Sequence, residues 1–587
     1  MMAGTQPTIE SRVVATAGHV DHGKSTLVRT LTGIDPDRWA EEKARGLTID
    51  LGFAHTTLPT GMGISFVDVP GHIRFLRNML AGVGAVDACL FVVAATEGWK
   101  EQSEEHLRIT QVLGIRHGIV ALTKVGLVDD EWRQLARLDV EDRVAATFLE
   151  GAPIIDVDSL TGQGIDDLQA ALATLLTSIP PPDDIGRPRL WIDRVFAAKG
   201  SGTVVTGTLT CGSLVVDDQV ALVGPRSTRY ARIRSLQAHG SPRDRVGPGT
   251  RVAVNLVGVG HEDVERGDAL VHPNDWHCTK RFDAMLNVLQ SLDHEVSRRG
   301  AYAVHIGSGE YPAKVRILGS STLDPGTAGA VRLHLPHELP LLPGDRFVLR
   351  EHGREETVGG GVVLDVDPTR PASKAAPSDD VARLVRERKW VRITDLRLRS
   401  RQSWTGPTLE EWAVDPSELE AVSGRVVAAV DAAGPLGLDA ASLSAQDRLV
   451  VALVLSGSLR VDGGRVVRTA QTDPLADHPF IRALIEGGFS PPDATGVDRS
   501  ELRELVRRKL IVEHDGVWFA PDTIAEASRR VAALLAAQPE GITVSVIRES
   551  LGTSRKYALP LLAVLDGTGV LRRRGDLRIA GPRLPQL

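Results

Sequence analysis

The run Gly18-His19-Val20-Asp21-His22-Gly23-Lys24-Ser25 spaces two glycines, a lysine and a hydroxyl as G-x-x-x-x-G-K-[ST]. Residue types in that order hold phosphate. The glycines let backbone N–H groups curl around phosphate oxygens at a helix N-terminus. Lys24 adds a point charge at the β- and γ-phosphates, and the Ser25 hydroxyl suits a Mg²⁺ ion that keeps most of its waters. An apolar run at 13–17 reads as a strand before the loop, and a helical pattern opens at Thr26. That context sets the run apart from a chance glycine-rich turn. Asp21, His22, Gly23, Lys24, Ser25 and Thr26 are the nucleotide-binding residues expected here.

Asp68-Val69-Pro70-Gly71-His72 follows a second apolar run at 64–67. An acid ending a strand beside a phosphate loop helps hold Mg²⁺, and Gly71 can turn its N–H to the γ-phosphate. Between the two motifs lies Arg45-Gly46-Leu47-Thr48. A threonine in such a loop completes the Mg²⁺ shell while γ-phosphate is present and lets go when it leaves. Ser25, Thr48 and Asp68 are thus the expected metal ligands. Together these runs resemble translational GTPases, which carry G-H-V-D-H-G-K-[ST], R-G-x-T and D-x-P-G-H. The resemblance implies GTP/GDP and Mg²⁺ as cofactors, His72 as the catalytic residue that positions the attacking water, and Val20 as one side of an apolar gate over it.

The base-reading loops depart from that pattern. The family reads guanine with [NT]-K-x-D and a later S-A-x loop, whereas this chain has Thr123-Lys124-Val125-Gly126 and Asp158-Ser159-Leu160. A carboxylate that normally accepts two hydrogen bonds from guanine is replaced by Gly126, a loss that should cost specificity. Three readings stand open: Asp158 supplies the missing carboxylate, Asp129 reaches in, or base selectivity is relaxed. Thr123, Lys124, Asp158 and Ser159 are the base-side candidates.

The elements that must position these groups follow from patterning. The chain has 587 residues, 42% apolar and 24% charged, enough for several domains. Up to about residue 180, apolar runs at 13–17, 64–67, 88–95 and 119–123 alternate with helical segments, the rhythm of a parallel sheet with crossover helices. A Pro-rich linker follows at 180–184. From 187 to 368, short alternating runs between Gly, Pro and Asp turns suit two β-barrels, 187–276 and 277–368. From 376 to 587 helices return, three times ending in a strand–turn–strand, as in tandem winged helices with the last copy at about 522–583. A more degenerate first copy would occupy 378–416. The expected fold class is multidomain: an α/β P-loop GTPase domain, two β-barrels and a winged-helix arm.

Net charge is −7, which excludes a generic polyanion binder and leaves nucleic-acid contact to a local patch. Cys89, Cys211 and Cys278 are scattered, with neither disulfide nor metal spacing. The polar N-terminus lacks a signal-peptide core and no apolar run is long enough to cross a membrane, so a cytoplasmic protein is expected.

The barrel region carries Trp191-Ile192-Asp193-Arg194-Val195-Phe196, Lys199-Gly200-Ser201-Gly202-Thr203-Val204-Val205-Thr206-Gly207 and Arg251-Val252-Ala253-Val254-Asn255-Leu256. Across roughly 187–367 it resembles the selenocysteine-specific elongation factors of bacteria. The resemblance implies a pocket of Asp193, Arg194 and Arg251 for the selenocysteyl group, and as partners selenocysteyl-tRNA, the ribosome and an mRNA hairpin at a recoded UGA codon. A monomer is expected. A selenol is more acidic than a thiol, so cationic groups favour its anion and reject neutral serine. On spacing alone the same residues read as surface ion pairs. In the arm, Arg555, Lys556, Arg572, Arg573, Arg574 and Arg578 gather at one helix start and its wing, a patch able to clamp an RNA backbone. Arg503, Arg507, Arg508 and Lys509 read as a solvated helix face. Other translational GTPases, such as an initiation-factor γ-type subunit, and a nucleotide-switched DNA-binding regulator are the competing readings.

Overall fold

The computed structural model describes residues 11–36, 51–69, 86–198, 202–470, 475 and 477–586. The chain forms two compact units, Met1–Ala413 and Val414–Leu587.

The first unit opens with a six-stranded sheet. Its strands are β1 (Ser11–Ala17), β2 (Gly52–Thr57), β3 (Gly63–Asp68), β4 (Ala88–Ala94), β5 (Gly118–Thr123) and β6 (Ile154–Asp156), in the order β2-β3-β1-β4-β5-β6. All neighbours are parallel except β2, which runs antiparallel on β3. The central strands are continuous apolar runs because helices cover both faces. Val13, Ala15, Phe91, Val93, Val120 and Leu122 face one core with Leu107 and Ile109 of α2 (Glu101–Val112). Val14, Ile64, Phe66, Leu90, Val92 and Ile119 face the other, with Leu27 of α1 (Lys24–Thr32) and Leu168 and Leu172 of α4 (Ile165–Ser178). Alternate side chains along each strand thus supply two cores. Asp129 caps α3 (Asp130–Val144) by accepting from Trp132 N. The antiparallel edge strand β2 departs from the all-parallel rhythm of the sequence; its mixed run Gly-Phe-Ala-His-Thr-Thr carries no strand signature.

Two β-structures follow. A seven-stranded sheet from Arg189–Ala198 to Ala269–Val271 is closed by pairing of Gln219–Val223 with Arg229–Ala238. A separate closed six-stranded barrel spans Cys278–Val288 to Glu356–Asp365. The helices Val381–Arg388 and Ile393–Arg399, expected at the start of the arm, belong to this first unit. Arg383 Nη2 bonds Asp365 at 2.9 Å, Arg399 Nε bonds Asp367 at 2.8 Å, and Arg401 Nε donates to Pro343 O at 2.8 Å.

In the second unit, helices alternate with hairpins at Leu459–Asp462/Arg465–Arg468, Val512–His514/Val517–Phe519 and Leu571–Arg574/Leu577–Ala580. The first two turn at Gly463-Gly464 and Asp515-Gly516, all four with positive φ, the requirement of the tight primed turn. The last module packs Pro521–Ala537, Val544–Leu551 and Arg555–Gly567 around Val531, Leu535, Ile547, Leu561 and Leu565.

Candidate nucleotide and aminoacyl sites

The phosphate loop joins β1 to α1 through three left-handed residues, Gly18 (φ 128°), Asp21 (φ 62°) and Gly23 (φ 87°). A Cβ on Gly18 would stand 2.1 Å from Val92 O, so only glycine fits there. Lys24 Nζ donates to the carbonyls of Gly18 (3.0 Å) and His19 (2.8 Å). The loop is braced from α2: Gly18 N donates to His106 Nδ1 (3.1 Å) and Val20 N to Gln102 Oε1 (3.2 Å). No motif marks His106 or Gln102, so these braces are not legible from local spacing. The His22 imidazole is fully buried, 3.3 Å from Val92 O. Burial pushes both His22 and His106 down to about 3, so both are neutral at physiological pH. His22 reaches the base side through its carbonyl, which accepts from Thr123 Oγ1 at 2.7 Å. Thr26 is exposed on the first turn of α1.

Ser25 Oγ donates to Asp68 Oδ2 at 2.6 Å, and Thr16 Oγ1 donates to Asp68 Oδ1 at 2.7 Å. A hydroxyl and a carboxylate oxygen side by side beneath the loop are the hard donors that Mg²⁺ takes. No sequence motif marks Thr16. Thr48, Gly71 and His72 lie outside the described residues.

On the base side, Lys124 takes φ 59° and its ammonium lies 3.4 Å from Glu97. Asp158 is buried and its Oδ1 accepts from Leu160 N (2.9 Å) and Thr161 N (3.3 Å). Ser159 O accepts from Thr30 of α1 at 3.3 Å.

The barrel cluster forms at a β-bulge. Strand Arg189–Ala198 slips register between Ile192 and Arg194 against Gly207 and Thr206, which re-aims the neighbours Asp193 and Arg194. Asp193 takes Arg251 at 2.5 and 2.9 Å and the Thr206 hydroxyl at 2.8 Å. The pair is buried, with side chains 6% and 12% exposed, not a surface ion pair. Arg194 donates to Leu51 O, and its guanidinium lies 4.4 Å from the centre of the Phe53 ring of β2. Phe53, His55 and Ser65 line a cavity of about 200 Å³ with Arg194, Arg251 and His239.

Comparison with known proteins matches these parts in chain order. Family models for the elongation factor Tu GTP-binding domain and domain 2 match residues 9–178 and 202–271. Models for the selenocysteine-specific elongation factor beta-barrel domain and the elongation factor SelB winged helix match 280–370 and 533–580. A selenocysteine-specific elongation factor of Escherichia coli (strain K12) is 30% identical over 96% of this chain and 98% of its own length. The chain belongs to the selenocysteine-specific elongation factors. The factor from Desulfomicrobium baculatum is 40% identical over 60% of this chain, a match that spans 55% of that relative. The crystal structure of a bacterial selenocysteine-specific elongation factor superposes with a TM-score of 0.69 at 26% identity, covering 97% of this chain and 100% of that one. The N-terminal domain of this factor is accordingly a translational GTPase domain that takes GTP and GDP. The initiation-factor and DNA-regulator readings fall away.

In the factor's last winged helix, Arg555, Lys556, Arg572, Arg573 and Arg574 are exposed. Lys556 Nζ lies 3.3 Å from Asp493. Arg578 differs from the rest of the expected patch. It sits on Leu577–Ala580, the central strand of its three-stranded sheet, is 9% exposed and bonds Asp566 at 2.9 Å. With little of its side chain exposed and its guanidinium on Asp566, Arg578 stands apart from the exposed arginines of the wing. Arg507 and Arg508 are likewise held by Glu504, at 2.8 Å each, with Arg465 on the same carboxylate at 3.1 Å.

Proposed function

We propose that the chain, in its GTP- and Mg²⁺-bound state, carries selenocysteyl-tRNA to a ribosome at a recoded UGA codon while its last winged helix binds an mRNA hairpin. The observation that carries this reading is the cluster of Asp193, Arg194 and Arg251 at the bulge. Two guanidinium groups, that of Arg251 paired with Asp193, stand beside a cavity. A selenolate gains from guanidinium groups beside it, whereas a neutral seryl group gains far less.

Ser25 and Asp68 would hold the Mg²⁺ with Thr48 joining when γ-phosphate is present. The ion supplies charge neutralisation at the phosphates. Lys24 and the loop N–H groups orient the phosphates, Val20 forms one side of an apolar gate, and His72 orients the water that attacks. Arg555, Lys556 and Arg572 to Arg574 offer an exposed cationic face to the hairpin backbone. Among the described residues no helix is long and apolar enough to cross a membrane, and a monomer working in the cytoplasm is the matching setting.

The test is binding of selenocysteyl- and seryl-tRNA with GTP present. A preference of roughly a hundredfold for the selenocysteyl form is expected, and Arg194→Asp removes it. Equal affinities in the unaltered protein would overturn the reading.

A further inference from the structure

The turn after β5 and the loop after β6 meet at Gly126 and Asp158. Gly126 stands in a short 3-10 turn, Val125–Leu127. A Cβ built on it would lie 2.3 Å from Asp158 Oδ2 and 3.4 Å from Asp158 Cγ. The first distance is about that between a Cβ and a carboxylate oxygen of its own aspartate. Asp158 thus places an oxygen where the side chain of an aspartate at 126 would begin to reach. Two such side chains could not share the space without steric overlap and like-charge repulsion.

We propose that Asp158 is the carboxylate by which this chain recognises guanine, in place of the one that position 126 lacks. The inference rests on the reading of the N-terminal domain as a GTP site. Guanine offers its N1–H and 2-amino donors to a carboxylate. Adenine presents a lone pair at N1 and no 2-amino group, and leaves the buried charge unpaired.

The side chain is set for this role. The N–H groups of Leu160 and Thr161 hold Oδ1, and Asp158 N donates to Gln163 O at 3.0 Å, so the loop is tied on both sides. Among the described residues Oδ2 accepts no hydrogen bond. The adjoining Ser159 carbonyl is tied to α1 through Thr30, and Thr123 at the end of β5 is tied to the His22 carbonyl. Both loops therefore belong to the same nucleotide site as the phosphate loop. Asp129, the other acid within reach in sequence, is exposed and spends its Oδ1 on Trp132 N at 2.8 Å as the cap of α3.

The experiment is titration of the full chain with fluorescent GTP, ATP and xanthosine triphosphate. Xanthine carries a carbonyl where guanine carries the 2-amino group. Asp158→Asn, whose amide both accepts from the Leu160 N–H and donates to that carbonyl, is expected to weaken GTP and strengthen xanthosine triphosphate, each by about tenfold or more. Gly126→Asp alone is expected to lose GTP affinity, and Gly126→Asp with Asp158→Ser to regain it. An unchanged ratio of GTP to xanthosine triphosphate in Asp158→Asn overturns the proposal, as does a double variant no better than Gly126→Asp. An unaltered chain that binds no guanine nucleotide would instead overturn the GTP reading itself.

Discussion

The Arg251 guanidinium lies 3.3 Å from the centre of the Phe53 ring. A barrel cation and the edge strand of the nucleotide domain therefore cover one another, with Arg194 on the same ring. Phe53 directly precedes Ala54 and His55 on β2, soon after the segment that carries Thr48. The proposed aminoacyl cluster is thus capped by the strand into which the switch segment leads. Replacing Phe53 by alanine removes a desolvated cation–π contact worth about 1–2 kcal/mol. Affinity for selenocysteyl-tRNA is expected to rise roughly tenfold with GDP bound. A titration that gives the same affinity for both proteins would show that the ring does not guard the cluster.

Thr16 orients Asp68 by its 2.7 Å bond to Oδ1, while Ser25 holds Oδ2. Thr16→Val keeps the shape and removes the hydroxyl. The Mg²⁺ concentration needed for half-maximal GTP hydrolysis should then rise by about tenfold, the usual cost of losing a group that orients a metal ligand. Chelation of Mg²⁺ should abolish hydrolysis in both proteins. An unshifted Mg²⁺ curve for Thr16→Val would refute the orienting role.

The wing separates charges that meet RNA from charges that hold the fold. Arg572 and Arg574 alternate onto one side of their strand and are exposed. Replacing both by alanine should weaken hairpin binding and lower the salt slope of log affinity by roughly 1 to 2 units. Arg578→Ala should instead leave the slope unchanged and cost about 2–3 kcal/mol of stability, because Asp566 loses its partner. A falling slope for Arg578→Ala would return that residue to the binding face.

Acid should act on the two units in different windows. His22 and His106 are held down to about 3 by burial, from an ordinary 6.5. The unfolded chain binds their protons first, so stability of the first unit falls as pH drops from about 6.5 toward 3. Glu504 is held at about 2 by its bonds to Arg507, Arg508 and Arg465, from an ordinary 4.5. Its contribution is full above about 4.5 and is lost as pH falls through about 2. Glu504→Gln should therefore destabilise the second unit by roughly 2–3 kcal/mol at neutral pH and flatten its acid dependence below 4.5. Chemical denaturation at stepped pH, read from each unit separately, checks both; a pH-independent first unit between 4 and 6.5 contradicts the histidine assignment.

The phosphate loop, the strands flanking it, the two barrels and the hairpin turns of the arm were all legible in the sequence. Each depends on residues close in the chain: a glycine where φ must be positive, a hydroxyl next to a lysine, an apolar run bounded by turns. The charge content of the last wing was legible in the same way. What only the tertiary structure decided are pairings between distant positions. His106 braces Gly18 from 88 residues away. The bulge beside Arg194 brings it and Arg251 onto Phe53, and the central strand of the wing buries Arg578 against Asp566. Asp158 comes to stand beside Gly126 because β5 and β6 run parallel and end at one edge. Backbone geometry is a local property that residue type restricts directly. Which carboxylate meets which cation, or fills which glycine's space, depends on how strands are ordered and registered, and no local spacing encodes that.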